Sequence, residues 1–418
     1  MKNKKALMKI TAALSLILAA AIIIPGLSTG EAATTSGGTS GASAIYSADD
    51  LFTSRDLEQE ADLSEATYYE LVSGQDIHIT SAGVYVISGT ASQTTVYVEA
   101  ADTDKVQIVL NGASISNTGT PCIYIKEADK VFVTTAKDSS LTVSGQFTAD
   151  GDTNTDGTIF SKCDITLNGT ATLTVSSSDN GIVGKDDLKV TGGTYVIRAS
   201  SKCIEANDSI RISGGSFSLT AGTDALHTES DDNEKGYIFI GGGTLTVKAS
   251  DDGIHASSIV QIDSGDINIS AAEGIEATYI QLNGGTVTIY STDDGINAAQ
   301  KISGITPTVV INGGTVTVSV GQGDTDCIDS NGNIIINGGT IDVTGQSSFD
   351  CDGTAQYNGG TIIVNGRQVS EIPNQMMGGM GGWGGMGGQG GWSGQGGWGN
   401  QGGRGGQGGQ GGRGGWGG

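Results

Sequence analysis

Short runs in which aliphatic or β-branched residues alternate with Thr, Ser and Asn recur along most of the chain. Early examples are Ile77-His78-Ile79-Thr80, Val84-Tyr85-Val86-Ile87, Val106-Gln107-Ile108-Val109-Leu110, Ile123-Tyr124-Ile125 and Val131-Phe132-Val133. A period of two predicts β-strands, and no helical period competes with it. From Ile165-Thr166-Leu167-Asn168-Gly169 to Val364 each turn also carries a Gly-Gly-Thr or Gly-Gly-Ser mark, or a degenerate copy of it. With the second glycine as marker (Gly193, Gly215, Gly243, Gly265, Gly285, Gly314, Gly339, Gly360) the spacings run from 20 to 29 residues. A period of that size signals a stacked solenoid. It leaves room for three short strands and three bends per turn, each strand pairing with its equivalent about 4.8 Å away. The expectation is an all-β, right-handed, single-stranded parallel β-helix with three short strands per turn. The fixed Leu and Asn pattern of leucine-rich repeats is absent, and the period is more than twice that of the calcium-binding nonapeptide.

The flanks follow from what does not repeat. Residues 1–32 hold Lys2, Lys4, Lys5 and Lys9, an apolar run from Ala12 to Ile24 and small residues up to Ala32, the layout of a secretory signal peptide. Residues 33–48 read as a Ser/Thr/Gly linker. Residues 49–75, acidic with Leu51, Phe52, Leu57 and Leu63, are expected to form the N-terminal cap that covers the first exposed turn. Residues 76–366 form the solenoid. Residues 367–418, where all four tryptophans sit among Gly and Gln, cannot bury a core and are expected to be a disordered tail.

Charge narrows the partners. A formal charge of -24 repels nucleic acid and anionic lipid. With the apolar run too short for a comfortable span, the expectation is a secreted or surface-associated, monomeric protein without membrane insertion. Five cysteines leave one unpaired. Cys203, Cys327 and Cys351 occupy a slot held elsewhere by Gly253, Gly274, Gly295 or Ala225 and read as small buried residues in one column. A Cys327–Cys351 disulfide, one turn apart, is the alternative.

Aligned turns place Asn180, Lys202, Asp224, Asp252, Glu273, Asp294, Asp326 and Asp350 in one column. Three residues on, a second column reads Val183, Glu205, His227, His255, Glu276, Asn297, Asp329 and Gly353. Carboxylates stacked at strand spacing repel by roughly 3 kcal/mol per neighbouring pair at an effective dielectric near 20. A run of them calls for a cation, and oxygen ligands on flexible turns suit Ca²⁺. The expected metal ligands are Asp224, Asp251, Asp252, Glu273, Asp293, Asp294, Asp326 and Asp329. Asp-Asp-Gly is also simply a good turn former, and His227 and His255 are too few among hard acids to favour zinc.

The Leu110-Asn111-Gly112-Ala113-Ser114-Ile115 turn, the Asp-Asp-Gly-Ile-His copies and the Gly-rich end resemble a bacterial family of secreted carbohydrate-binding parallel β-helices. That family is the clostridial cellulose- and acid-sugar-binding type with a polysaccharide-lyase-like fold. The resemblance spans about Asp56 to Val364 and implies calcium along the helix, binding of cellulose or polygalacturonate-like pectic sugars, and no established catalysis. Asn180 and Lys202 depart from an all-acid column. Without solenoid tryptophans, Tyr195, Tyr237 and Tyr290 are the candidates for sugar stacking. Two alternatives stand beside a non-catalytic binder. One is a calcium-dependent pectate lyase, with Lys202 as the base for the proton α to a uronate carboxyl and Arg198 and Arg211 nearby. The other is a surface or adhesive protein whose Gly/Trp tail makes the contact.

Overall fold

The computed structural model describes residues 44–323 and 325–373; the signal-peptide stretch, most of the linker and the tail beyond 373 lie outside the described residues. The described part is a parallel β-helix whose regular structure is all strand but for one short helix, Ala48–Leu51. Each strand pairs in parallel with its equivalent one turn later, and three sheets result. The first contains Val96–Glu99, Ile123–Glu127, Gly157–Ser161, Asn180–Gly184, Ile204–Ala206 and Leu226–Thr228, the N-terminal halves of Asp252–Ile262 and Glu273–Leu282, then Ile296–Ala298, Asp326–Ser330 and Ser347–Cys351. The second runs through Asp164–Gly169, Asp187–Val190, Ser209–Ile212 and Tyr237–Ile240, and the third through Thr194–Ala199, Ser216–Ala221 and Thr244–Lys248.

Alternation sorts the side chains. Ile182, Ile204, Leu226, Ile254, Ile275, Ile296, Ile328 and Phe349 point inward as one ladder, all without exposure. Parallel pairing brings like side chains into contact on successive turns, so the repeat fills its own core. The marker glycines take positive φ, from 80° at Gly285 to 113° at Gly215, the left-handed bend that disfavours any side chain. Before them a polar ladder forms. The Asn312 amide donates to Asn283, Asn337 to Asn312 and Asn358 to Asn337, each at 2.7 Å.

Three expectations change. The end of the stretch read as linker and most of the stretch read as a cap lie along the outside of the second sheet as a strap. The Ile45 and Tyr46 amides donate to Gln261 Oε1 at 3.0 and 2.9 Å, and Tyr46 stacks on Tyr237 at 4.3 Å. Leu51 and Phe52 pack against Phe239 and Ile259, and Gln59 Oε1 accepts from the Gly169 amide at 3.0 Å. The strap is held at its middle by Asp56, fully buried, which pairs with Lys130 and, at 3.4 Å, with Lys189. The physical reason lies in the second sheet, whose outer face carries large apolar and basic groups that need cover. Leu57 and Leu63 stay exposed, and coiling begins at Thr67–Glu70, which pairs with Tyr85 to Ser88.

At the other end, Arg367–Val369, assigned to the tail by composition, folds back antiparallel on Thr361–Val364. The turn between them is Asn365-Gly366, with φ of 51° and 75°, the combination a two-residue hairpin turn requires. Finally, the last turn is three residues out of the expected register. Asp326 pairs with Ser347, Asp329 with Asp350 and Ser330 with Cys351. Ser348 therefore ends the small-residue column, and Cys351 stands outside it. None of the five cysteines is disulfide-bonded, so the Cys327–Cys351 bridge does not form.

Candidate functional site

The outer face of the first sheet carries the two columns. Register places Asn180, Lys202, Asp224, Asp252, Glu273, Asp294 and Asp326 on successive turns. The second column reads Val183, Glu205, His227, His255, Glu276, Asn297, Asp329 and then Asp350 rather than Gly353. Part of the first column has a structural duty. Asn180 accepts the Lys202 amide at 3.0 Å, Asp224 the Asp252 amide at 3.1 Å and Asp294 the Asp326 amide at 2.7 Å. A side-chain oxygen thus replaces a ladder carbonyl where the strand bends.

Along the axis the face divides by how its charge is balanced. On the Glu205 turn, Lys185 and Lys202 each approach Glu205 to 3.7 Å, and Asn180 donates to it at 2.8 Å. Lys202 therefore stands as a charge partner. Arg211 pairs with Asp187 at 2.6 Å on the second sheet, so the expected basic group does not assemble around Lys202.

On the next turns the acids hold imidazoles. His227 Nδ1 lies 2.8 Å from Asp224, and His255 Nδ1 2.6 Å from Asp252 and 3.0 Å from Glu276. The two imidazoles stack at 4.8 Å, and Lys301 Nζ lies 2.5 Å from Glu276. Burial opposes charge on His255, but its bonds to Asp252 and Glu276 win and push it up to about 9. It is an imidazolium at neutral pH. Glu276 is also desolvated, yet His255 and Lys301 hold it below the usual range. Asp252, His255 and Glu276 bring ligand atoms within 4.8 Å of one another, as do Asp224, Asp251 and Asp252.

Beyond these turns burial and like charge dominate at Glu273 and Asp329. Burial and Glu276 push Glu273 up to about 7, against an Asn297 hydrogen bond at 3.1 Å. Burial, Asp294, Asp326 and Asp350 push Asp329 up to about 7. Asp251 and Asp293, the first acids of their Asp-Asp-Gly turns, are exposed at the rim. The expected ligands thus fall into two groups: Asp224, Asp251 and Asp252 beside the histidines, and Glu273, Asp293, Asp294, Asp326 and Asp329 where negative charge accumulates.

Toward the N-terminus the second column turns aromatic: Phe160, Tyr124, Tyr97 and His78 stand on successive turns. Sequence reasoning named other tyrosines. Tyr195 points into the core, Tyr237 is covered by the strap, and Tyr290 alone of the three is exposed, on the third sheet. The signal for the missed residues was present in the middle positions of Ile77-His78-Ile79, Val96-Tyr97-Val98 and Ile123-Tyr124-Ile125, but those turns lack the glycine mark that anchored the alignment.

A stacked parallel β-helix with a polar and aromatic outer column presents an extended open face. The chain belongs to the carbohydrate-binding domain-containing protein family, whose model matches residues 73–325 and 275–370. It is 37% identical over 133 residues to a carbohydrate-binding domain-containing protein of Acetivibrio thermocellus, covering 31% of this chain and 46% of that protein. The chain thus spans about half the length of that curated relative. A polysaccharide lyase-like protein from C. thermocellum, solved as a gadolinium derivative, aligns with a TM-score of 0.42 and 24% identity over 70% of this chain and 99% of that one.

Proposed function

We infer that the protein is a secreted, non-catalytic binder of plant cell-wall polysaccharide, and that Ca²⁺ at the C-terminal part of the acidic column links it to pectic, uronate-bearing chains. Membership of a carbohydrate-binding domain family supports the sugar partner. The observation that carries the ion is the crowding of Glu273 and Asp329, both pushed up to about 7. Carboxyls held protonated by their neighbours are relieved by a divalent cation, and Glu273, Asp294, Asp326 and Asp329 with Asn297 supply the hard oxygens that Ca²⁺ takes. Asp224 and Asp252 are less open to it, since each already holds an imidazole, His227 at 2.8 Å and His255 at 2.6 Å. A Ca²⁺ ion with coordination positions left over bridges a uronate carboxylate to a surface that otherwise repels it.

The test is co-sedimentation with polygalacturonate and with cellulose, in Ca²⁺ or in chelator, alongside ultraviolet absorbance of unsaturated products. Expected are Ca²⁺-dependent binding of polygalacturonate without growth of absorbance, and its loss in Asp326→Asn/Asp329→Asn. Binding that is indifferent to chelator refutes the bridging ion, and absorbance growth refutes the non-catalytic reading.

A further inference from the structure

The aromatic end of the same sheet is a site of different chemistry. His78 stacks on Tyr97 at 5.0 Å, Tyr97 meets Tyr124 at 5.8 Å, and Tyr124 meets Phe160 edge-on at 5.6 Å. These rings are not part of the interior. Tyr124, Phe160 and Val183, with Tyr97 against them, form a cluster separate from the main core, outside the first sheet. Phe160 and Tyr124 are buried, Tyr97 is half-buried and His78 is exposed, so the column emerges toward solvent. Beside it lies a recess of 190 Å³ between Tyr97, Tyr124 and Lys126 on one side and Thr148, Asp150 and Thr155 on the other.

The polar groups of the recess are fixed in place. Lys126 Nζ lies 4.9 and 5.1 Å over the Tyr97 and Tyr124 rings, 3.3 Å from Glu99 and 3.2 Å from Asp150. Tyr124 donates to Asp150 at 3.1 Å, and His78 bonds Glu99 at 2.9 Å. One ammonium faces two carboxylates, so the recess carries no spare positive charge and disfavours a uronate. The half-exposed Tyr97 ring borders it and can take the C–H side of a pyranose, with ammonium, carboxylate and threonine groups to exchange bonds with its hydroxyls. A few convergent polar groups beside an aromatic surface are what a sugar subsite requires.

We propose that Tyr97, Tyr124, His78 and Lys126 form a metal-independent subsite for neutral pyranose units, on the same face as the acidic column but independent of it. The proposal rests on the carbohydrate-binding reading above and divides that face into a neutral end and an acidic end.

The test is calorimetric titration of the whole protein with cellohexaose in chelator, and with polygalacturonate in Ca²⁺. Expected are cellohexaose binding that chelator leaves intact, a tenfold or larger loss in Tyr97→Ala and a smaller loss in His78→Ala. The exposed control Tyr290→Ala binds cellohexaose as the wild type does. Polygalacturonate binding in Ca²⁺ is the fold check and stays unchanged in all three variants. No cellohexaose binding by the wild type, or wild-type binding by both Tyr97→Ala and His78→Ala, overturns the subsite. Cellohexaose binding that survives while Ca²⁺-dependent polygalacturonate binding is absent supports the subsite and refutes the bridging ion alone.

Discussion

Asp56→Asn tests what holds the strap to the β-helix. The Asp56 carboxylate has no exposure, accepts the Thr53 amide at 3.0 Å and the Thr166 hydroxyl at 3.1 Å, and faces Lys130 and Lys189. Burial works against its charge, but Lys130, the Thr53 amide and Lys189 together hold the carboxyl well below the usual carboxylate range. Lys189 is in turn pushed down by burial and by Lys130, so two ammonium groups depend on one acid. Asparagine keeps the shape and an acceptor for Thr53 but takes the paired carboxylate away from two desolvated lysines. Breaking a buried pair in this way costs about 3–5 kcal/mol, or roughly 10²- to 10⁴-fold in the opening equilibrium. A solenoid need not unfold in one step, so the readout is local: amide exchange and proteolysis within residues 50–60. Asp56→Asn should speed both by that factor while strands such as Leu226–Thr228 stay protected, and adding Lys189→Met should recover part of the loss. The sign with pH follows. A depressed folded value means that the contribution is present above the unfolded value near 4 and is lost as pH falls below it, so the wild-type strap should open in acid. Less than about fivefold change in strap exchange in Asp56→Asn would refute the assignment of Asp56 as its clasp.

Other outcomes follow from the same geometry. Glu273 and Asp329 bind more protons folded than unfolded between about pH 4 and 7. Stability in chelator should therefore fall across that window by up to about 3 kcal/mol per group, and Ca²⁺ should restore it at pH 7.5, as read from denaturant midpoints. Gly274→Ala puts a Cβ 2.2 Å from the Gly295 carbonyl oxygen and 2.5 Å from Ile289; destabilisation of at least about 2 kcal/mol is expected in the same assay. Burial pushes the Cys203 and Cys327 thiols up to about 12. In native protein, alkylation followed by mass spectrometry should modify half-buried Cys163 first and leave those two intact.

What the sequence disclosed is what repeats. Gly193 to Gly360 marked the bend of each turn, and the bend fixed the registers that put Asp224, Asp252, Glu273, Asp294 and Asp326 in one line. The repeat misleads where local resemblance outweighs count. Asp350-Cys351-Asp352-Gly353 looks like another Asp-Asp-Gly turn, yet it sits three residues later in the coil than that likeness suggests. The strap was illegible for a different reason: Leu51, Phe52 and Asp56 have no period, and their partners lie up to some two hundred residues away. Nor could spacing tell that His255 and Lys301 would answer the charge of Glu276 while Asp329 stayed crowded, because that balance depends on which neighbours point outward.

The hairpin at Asn365-Gly366 bears on assembly. A coil of parallel rungs ends in a row of open amide and carbonyl groups, and another copy's first rung could extend that row indefinitely. Arg367–Val369 occupies the third sheet's part of that row in the reverse direction, with Arg367 and Gln368 exposed and Val369 and Ile372 packed against the core. The next strand to arrive meets an antiparallel spacing of bonds and a charged side chain instead of a matching Ile or Val. Strand addition to the third sheet at this end is thereby opposed by three residues, and deleting them should raise the tendency to end-to-end association.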